Sequence, residues 1–591
     1  MGTTISERKR VTVGREPSGS PSVASRLALG HVSPSAVLGM LVFAGVVGFW
    51  SWRVQKGVDL SDESFYVSLP MRFALGDRPF LDERSSTQGS GLLEFPFVAL
   101  YHLFVRSNDG LMLFMRLLYL SFLTAIGMGL ASSVRGWISR GSALACGALV
   151  CFYVPYCIYQ MSYNTLGGGL AMLAGFTVLR LSRSEGMTAR AASGYATFAG
   201  VCVAASTLAY PTLMPLAAAH AVTILLFCRR PLGWWRVLAY YAAGGALVCL
   251  YVCLFLLRSG FGSIKLTIEF VRAWGPTLTG DLSEVPKTIE RFKNDWFVSF
   301  LVAGALALVA RRFKPAVLLL AIYIPTLALP TVPDDTSASL RFFTCLALFA
   351  PLFGLLVEDR RRAFQILAIV WAPGVLTGTL NGISSGNGGI ASGLGGFAGA
   401  MAGVLLACRA CEEALGRWRG VLGWTSIAAP LAVLWCFVKL ATADTAVYRD
   451  AKLSQLTERV RVGPFRGLKT TPEHRQLVEQ MHADIRQHVD DKPFGLFMPD
   501  MPSAYLSANV RGAVAEPWVG HVAKRNEINA GLFRERANQV GIVGIRACHH
   551  DFWRCRAPDP ATQKNHALYQ AVKETHTVVL KRDDYTILKP R

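Results

Sequence analysis

Charge is what this chain has least of. Only 17% of its 591 residues are Asp, Glu, Lys or Arg, against roughly a quarter in soluble domains, and that scarcity excludes an ordinary soluble enzyme. Cysteine away from apolar surroundings is equally scarce. Eleven of the thirteen lie in or beside apolar runs, where they serve as small packing residues, and only Cys548 and Cys555 lie elsewhere. The run CHHDFWRC that contains those two has no second CxxC-type pair, which argues for a disulfide or free thiols over zinc. Gly167 to Gly169 are followed by no Lys-Ser/Thr and preceded by no strand, so they read as close helix packing and not as a phosphate loop. No heptads, short-period repeats or low-complexity tracts are present, which sets aside coiled coils and solenoids. Residues 1–34 are too rich in Ser, Gly, Pro and Arg to pack, and they lack a small-residue cleavage site after an early apolar core. They read as a disordered cytoplasmic tail ahead of an uncleaved signal anchor.

What the chain has instead is apolar length. Hydrophobic residues make up 52%, mean hydropathy is +0.36, and the runs between 35 and 441 are long enough to cross a hydrocarbon core of about 30 Å. Thirteen spans are expected: 35–52, 111–134, 141–157, 164–179, 191–209, 212–228, 237–257, 296–310, 315–330, 339–357, 363–381, 389–408 and 421–441. The net charge of +21 sits in short connections and not along one amphipathic face, so it reads as topology and not as a nucleic-acid surface. Basic residues recur on one side (Arg135 and Arg140; Arg180, Arg183 and Arg190; Arg311, Arg312 and Lys314; Arg360 to Arg362). The connections 158–163, 210–211, 331–338 and 382–388 have no Lys or Arg. That asymmetry places the N-terminus in the cytoplasm of a multi-pass inner-membrane protein. The loops 53–110 and 258–295 and the tail 442–591 then fall outside, in the periplasm or its equivalent. The tail has strand-like runs at Phe494–Met498, Val540–Ile545 and Thr577–Leu580, and is expected to form a soluble α/β domain.

The first outer loop gathers eight acids: Asp59, Asp62, Glu63, Asp77, Asp82, Glu83, Glu94 and Asp109. Clustered carboxylates repel one another, and the plain alternative is a solvated loop. Asp62-Glu63 opens an amphipathic stretch (Phe65, Tyr66, Leu69, Met71, Phe73), which is expected to lie along the membrane interface and hold a carboxylate beside a lipid-borne substrate.

At these residues the sequence resembles a family. A first span leading into DESFY, then a short helix ending in FALGDRPFLDE, is similar to GT-C glycosyltransferases of the group containing the protein O-mannosyltransferases (dolichyl-phosphate-mannose-protein mannosyltransferases) and the lipid A aminoarabinose transferases. SYNTLGGGL, LAYPTLMPL and LRFFTCLALFAP add to the likeness, which spans about residues 35–441 in topology. The resemblance implies an all-α GT-C-like catalytic domain, with the α/β tail appended. It also implies sugar transfer, with inversion, from a polyprenyl-phosphate donor to a glycan, lipid or protein acceptor. Asp62 would take the acceptor proton, and Glu63 would orient it or hold the acceptor. Asp82 resembles the family's second loop acid, but Glu83-Arg84-Ser85 stand where His-Pro-Pro often follows, which leaves any divalent metal open.

The leaving lipid phosphate calls for a fixed cation. Arg341, after the polar turn TVPDDTSAS, stands in a spot resembling the family's Arg-aromatic motif; its plain alternative is a snorkelling helix-end arginine. Lys265 and Arg272 are further cation candidates for the phosphate. Arg116 inside a span is expected either to pair with an acid or to line the cavity. Tyr66, Tyr163 and Asn164 are candidates for lining the cavity or touching the acceptor, with helix capping the alternative for Asn164. His102 and His220 are isolated and read as packed histidines. Two other function classes compete: a transporter or flippase of lipid-linked glycans, with ionisable groups in mid-membrane, and a catalytically silent assembly factor acting through its C-terminal domain.

Overall fold

The computed structural model describes residues 33–591 apart from 184–185, 229–230, 274–285, 287–289, 291–296, 328–337, 386–388, 417–429, 437, 439–440, 442–446, 520–522 and 547–565. It is mostly helical, with a sheet-containing C-terminal region. Helices occupy the first twelve expected spans, beginning with α1 (Pro34–Arg53); most of 421–441 lies outside the described residues. Among the described residues, five stretches are long and apolar enough to cross a membrane: Pro34–Arg53, Leu111–Ser133, Ala189–Ala209, Trp234–Ser259 and Arg360–Gly382.

Two helices follow α1 in the first loop, α2 (Asp62–Ala74) and α3 (Gln88–Val105). Then come α4 (Leu111–Ser133), α5 (Arg140–Leu149), α6 (Tyr163–Leu181), α7 (Ala189–Ala209), α8 (Pro215–Phe227), α9 (Trp234–Ser259) and α10 (Ser263–Arg272). Small residues let the apolar helices approach closely, as helices must where apolar lipid gives no hydrophobic drive between them. A Cβ on Gly200 of α7 would collide with the Tyr241 carbonyl of α9, and one on Gly244 of α9 with the Thr197 carbonyl of α7.

The interfacial role expected for α2 is corrected by its surroundings. Every residue from Asp62 to Phe73 is buried, because α2 packs against α3 on one side and the helix Pro502–Ala508 of the C-terminal region on the other. An amphipathic pattern reports one apolar face; it does not report what covers the polar one.

The C-terminal region carries a short antiparallel pair, β1 (Glu458–Arg459) with β2 (Lys469–Thr470), and a five-stranded sheet. Its strands are β3 (Phe494–Met498), β4 (Arg511–Gly512), β5 (Val540–Arg546), β6 (His576–Lys581) and β7 (Tyr585–Pro590), in the order β4-β3-β5-β7-β6. β3 is parallel to β4 and β5, while β7 is antiparallel to β5 and β6. β3 is buried at all five positions, as a central parallel strand must be. The region is sewn to the first loop through backbone bonds. Lys469 N donates to Gln55 O (2.7 Å), Gly57 N to Lys469 O (2.8 Å), Arg84 N to Ala515 O (2.8 Å) and Gly110 N to Gly463 O (3.0 Å). The main core therefore runs without a break from the apolar helices to Val460, Phe465, Val478 and Tyr505.

Candidate functional site

Asp59 sets the start of α2. Its carboxylate accepts from the backbone N–H groups of Ser61 and Glu63, both at 2.9 Å, filling donors that a helix N-terminus leaves open. Asp62 and Glu63 then fall in the first turn, where the helix dipole favours anions.

The two neighbours have different work. Glu63 Oε2 is paired with Arg116 of α4, and its Oε1 accepts from Tyr159 N at 2.9 Å. Arg116 also donates to Val54 O (2.8 Å) and Lys56 O (3.2 Å), so one guanidinium ties α2 and α4 to the end of α1. Of the two roles expected for Arg116, pairing with an acid is the one observed. Glu63, expected to hold the acceptor or orient Asp62, has an oxygen in each of these anchoring contacts.

Asp62 is 6% exposed. Its Oδ2 accepts the Tyr448 hydroxyl and lies 3.3 Å from Arg449 Nη2. Its Oδ1 is buried with no hydrogen-bond partner among the described residues. Burial, then the charge of Asp59, raises the carboxyl to about 7, against the opposing effects of Arg449 and the Tyr448 hydrogen bond. Aromatic rings line this position. Phe65 meets Trp518 edge-on at 5.2 Å, Tyr66 stands 6.0 Å from Tyr163, and Tyr163 is 5.0 Å from Tyr210. Trp518 donates its indole N–H to Asp500, and Arg546 donates to the Asp500 carbonyl at 3.2 Å. Tyr66 and Tyr163 thus stand together on the Asp62 side of α2. Asn164 is not the cap of α6: Ser162 is, with Thr165 closing the capping box, while Asn164 Oδ1 is buried without a partner among the described residues.

Asp82, expected as the second loop acid, is drawn into a second network. It accepts from Arg78 N (2.9 Å) and Nε (3.0 Å), and pairs with Arg536 (2.6 Å) and Arg511 (3.4 Å). Burial would raise its carboxyl, yet the hydrogen bonds of Arg78 and the charge of Arg536 hold it below the usual range. Alongside, Arg72 of α2 pairs with Asp77 (2.6 Å) and Glu83 (2.7 Å) and donates to Val514 O (3.0 Å). Three of these arginines serve to dock the loop on the C-terminal region, since Arg511 and Arg536 belong to that region and Arg72 reaches its backbone.

The expected phosphate cations are scattered. Lys265 is 83% exposed and lies 3.9 Å from Glu269. Arg272 is exposed at the end of α10, whose Phe270 is buried against Ala515 and Leu532. Arg341 falls in the first turn of the helix Ala338–Gly354; its side chain, like Cys548 and Cys555 with their expected disulfide, lies outside what is described. Among the described residues no group of three or more His, Cys, Asp or Glu is disposed to hold a metal.

Sequence reasoning missed Tyr448, Arg449, Asp500 and Trp518. The one available signal was Tyr448-Arg449-Asp450, a polar triplet just past the last apolar run; nothing in its spacing pointed to Asp62, which lies 386 positions away.

No protein-family model matches the chain, and no curated protein does. Solved structures do. The chain is similar to the archaeal oligosaccharyltransferase AglB from Archaeoglobus fulgidus in complex with an inhibitory peptide and a dolichol-phosphate, at 12% identity and a TM-score of 0.48, over 86% of this chain and 69% of that one. It is likewise similar to the Archaeoglobus fulgidus oligosaccharyltransferase in complex with Zn and sulfate, at 11% identity and TM-score 0.48, over 87% and 68%. The same enzyme tethered to an acceptor peptide containing the NVT sequon gives 11% identity and 0.48, over 91% and 72%.

Proposed function

We propose that this chain is a GT-C-type membrane glycosyltransferase with thirteen spans and a cytoplasmic N-terminus. It transfers a sugar from a polyprenyl-phosphate donor to an acceptor hydroxyl on the outer face. The observation that carries the reading is Asp62: a carboxyl raised to about 7, one oxygen held by Tyr448 and Arg449, and the other buried and unpartnered beside aromatic walls. A general base works best when its pKa lies near the working pH. An ordinary carboxylate near 4 is too weak a base for an alcohol; burial corrects that.

In the transfer, the acceptor oxygen attacks the anomeric carbon from the face opposite the phosphate, so configuration inverts. The new carbon–oxygen bond forms as the bond to the phosphate oxygen breaks, and that electron pair leaves on the lipid phosphate. The acceptor proton goes to Asp62 Oδ1. Glu63 and Arg116 hold α2 so that this oxygen stays in line, a matter of proximity and orientation. The aromatic rings offer flat apolar faces suited to the C–H faces of a sugar.

The test is transfer by purified protein in detergent or vesicles from a polyprenyl-phosphate sugar. Asp62→Asn is expected to cut turnover by about 10²- to 10⁴-fold while donor binding persists. Near-normal transfer by that variant would remove Asp62 as the base. If purified wild type transfers no sugar from the donor, the flippase reading takes over.

A further inference from the structure

The likeness stated from the sequence leaves a divalent metal open, and the residues around Asp62 do not fit one. Asp59 spends one oxygen on Ser61 N and the other on Glu63 N. Glu63 spends one on Arg116 and the other on Tyr159 N. Asp62 keeps one oxygen free, and a single carboxylate oxygen is too little for a hard cation that takes six or more oxygen ligands. A cation already stands there. We propose that Arg449 takes the place of a metal ion: its Nη2 stays on Asp62, and its Nη1 binds an oxygen of the donor's lipid phosphate. This assignment rests on the glycosyltransferase reading above.

Three observations carry it. Arg449 Nη1 is buried without a partner among the described residues, an orphaned charged donor beside the orphaned Asp62 Oδ1. The Arg449 backbone has φ of 51°, a left-handed conformation that a non-glycine residue keeps only when its surroundings impose it. Those surroundings are built. The carboxylate of Asp450 accepts from Val58 N, Thr470 Oγ1 and Ala451 N, each at 2.7 Å, and so clamps the turn to the loop that carries Asp59 and Asp62. Val447 seats on Gly57, where any Cβ would collide with it. A planar guanidinium presents donors that diverge in one plane, so one nitrogen can serve the carboxylate and the other the phosphate. The geometry also suits the charge change: the phosphate carries one negative charge as a sugar diester and two once the sugar has left, so the contact strengthens as the bond breaks.

The groups facing Asp62 are Asp59 from its own loop, Tyr66 from α2, Tyr448 and Arg449 from the post-span turn, and Asp500 from the C-terminal region. Removing Arg449 takes away the cation that lowers the Asp62 carboxyl, so the acid limb of the pH–rate profile should move to higher pH in Arg449→Gln.

The experiment titrates the intact purified protein with a short polyprenyl monophosphate in excess EDTA, comparing wild type with Arg449→Gln, Arg449→Lys, Arg341→Gln and Asp62→Asn. Wild type is expected to bind despite the chelator, and Arg449→Gln about tenfold or more weakly. Arg449→Lys should bind in between, and Asp62→Asn as tightly as wild type or tighter, since the competing carboxylate is gone. Equal binding by wild type and Arg449→Gln, or loss confined to Arg341→Gln, overturns the Arg449 assignment and leaves the donor class standing. No binding by wild type overturns the donor class itself. A second titration uses Mn2+ alone: binding by wild type that disappears in Asp62→Asn overturns the replacement of a metal by Arg449.

Discussion

At the scale of single residues, the three carboxylates within five positions of each other divide the labour by what surrounds them. Asp59 faces backbone amides, Glu63 faces a guanidinium, and Asp62 keeps one oxygen without a partner among the described residues. The pH behaviour follows. Asp62 has to be ionised to accept a proton, so transfer should rise with pH and level off above about 7. Stability runs the other way. An acid whose folded value lies above its unfolded one, here raised from 3.8, favours the folded state while protonated. Its contribution is full below the unfolded value and is lost as pH rises through about 7. Asp62→Asn should therefore raise the melting temperature at about pH 8 and leave it nearly unchanged at about pH 3, below the unfolded value of 3.8, where Asp62 is neutral in both states. Melting curves of both proteins at the two pH values check this; an equal shift at both would mean the raised carboxyl is not the cause.

At the scale of elements, the apolar helices are held by backbone proximity. The pair α7 and α9 meet through Gly200 and Gly244, each lying under the other helix's carbonyl groups. Gly200→Val should force them apart at a cost of about 1–3 kcal/mol, the usual penalty for overpacking. Faster proteolysis and a lower melting temperature in detergent would register it, with donor binding retained by the fraction still folded. Unchanged melting would mean that α7 and α9 are free to slide.

The whole molecule depends on how the C-terminal region closes over α2. Arg72, with side chains of Asp77 and Glu83 beside it, is fully buried between them, and a Cβ on Gly512 would run into its guanidinium. Arg72→Ala leaves the buried Glu83 carboxylate without its cation and Asp77 with Arg511 alone, a loss of about 3–5 kcal/mol. Limited proteolysis should then release fragments of residues 447–591, and transfer should fall with them, because Tyr448 and Arg449 reach Asp62 only when the region is docked. A protease-resistant Arg72→Ala protein with normal transfer would show that docking rests elsewhere. Arg72→Lys is no rescue, since an ammonium cannot span both acids and the Val514 carbonyl.

The helix positions were legible in the chain because apolar length and loop charge are local properties: a span needs some twenty apolar residues whatever its neighbours do. The strands Phe494–Met498 and Val540–Arg546 were legible for the same reason, as short apolar runs. Asp62 and Glu63 stood out because two adjacent acids at the head of an apolar stretch are costly without a purpose. Composition offered no means of telling Asp82 from Asp62, since each is an aspartate in one loop. What separates them is the partner: Arg511 and Arg536, more than four hundred positions away, for the one, and Tyr448 and Arg449 for the other. Local pattern determined which segments are helices and which acids are exceptional. Only tertiary structure decided that Asp62 keeps an oxygen without a partner among the described residues and that Arg449 stands beside it, because pairing and desolvation act through space between residues whose separation along the chain carries no information about contact.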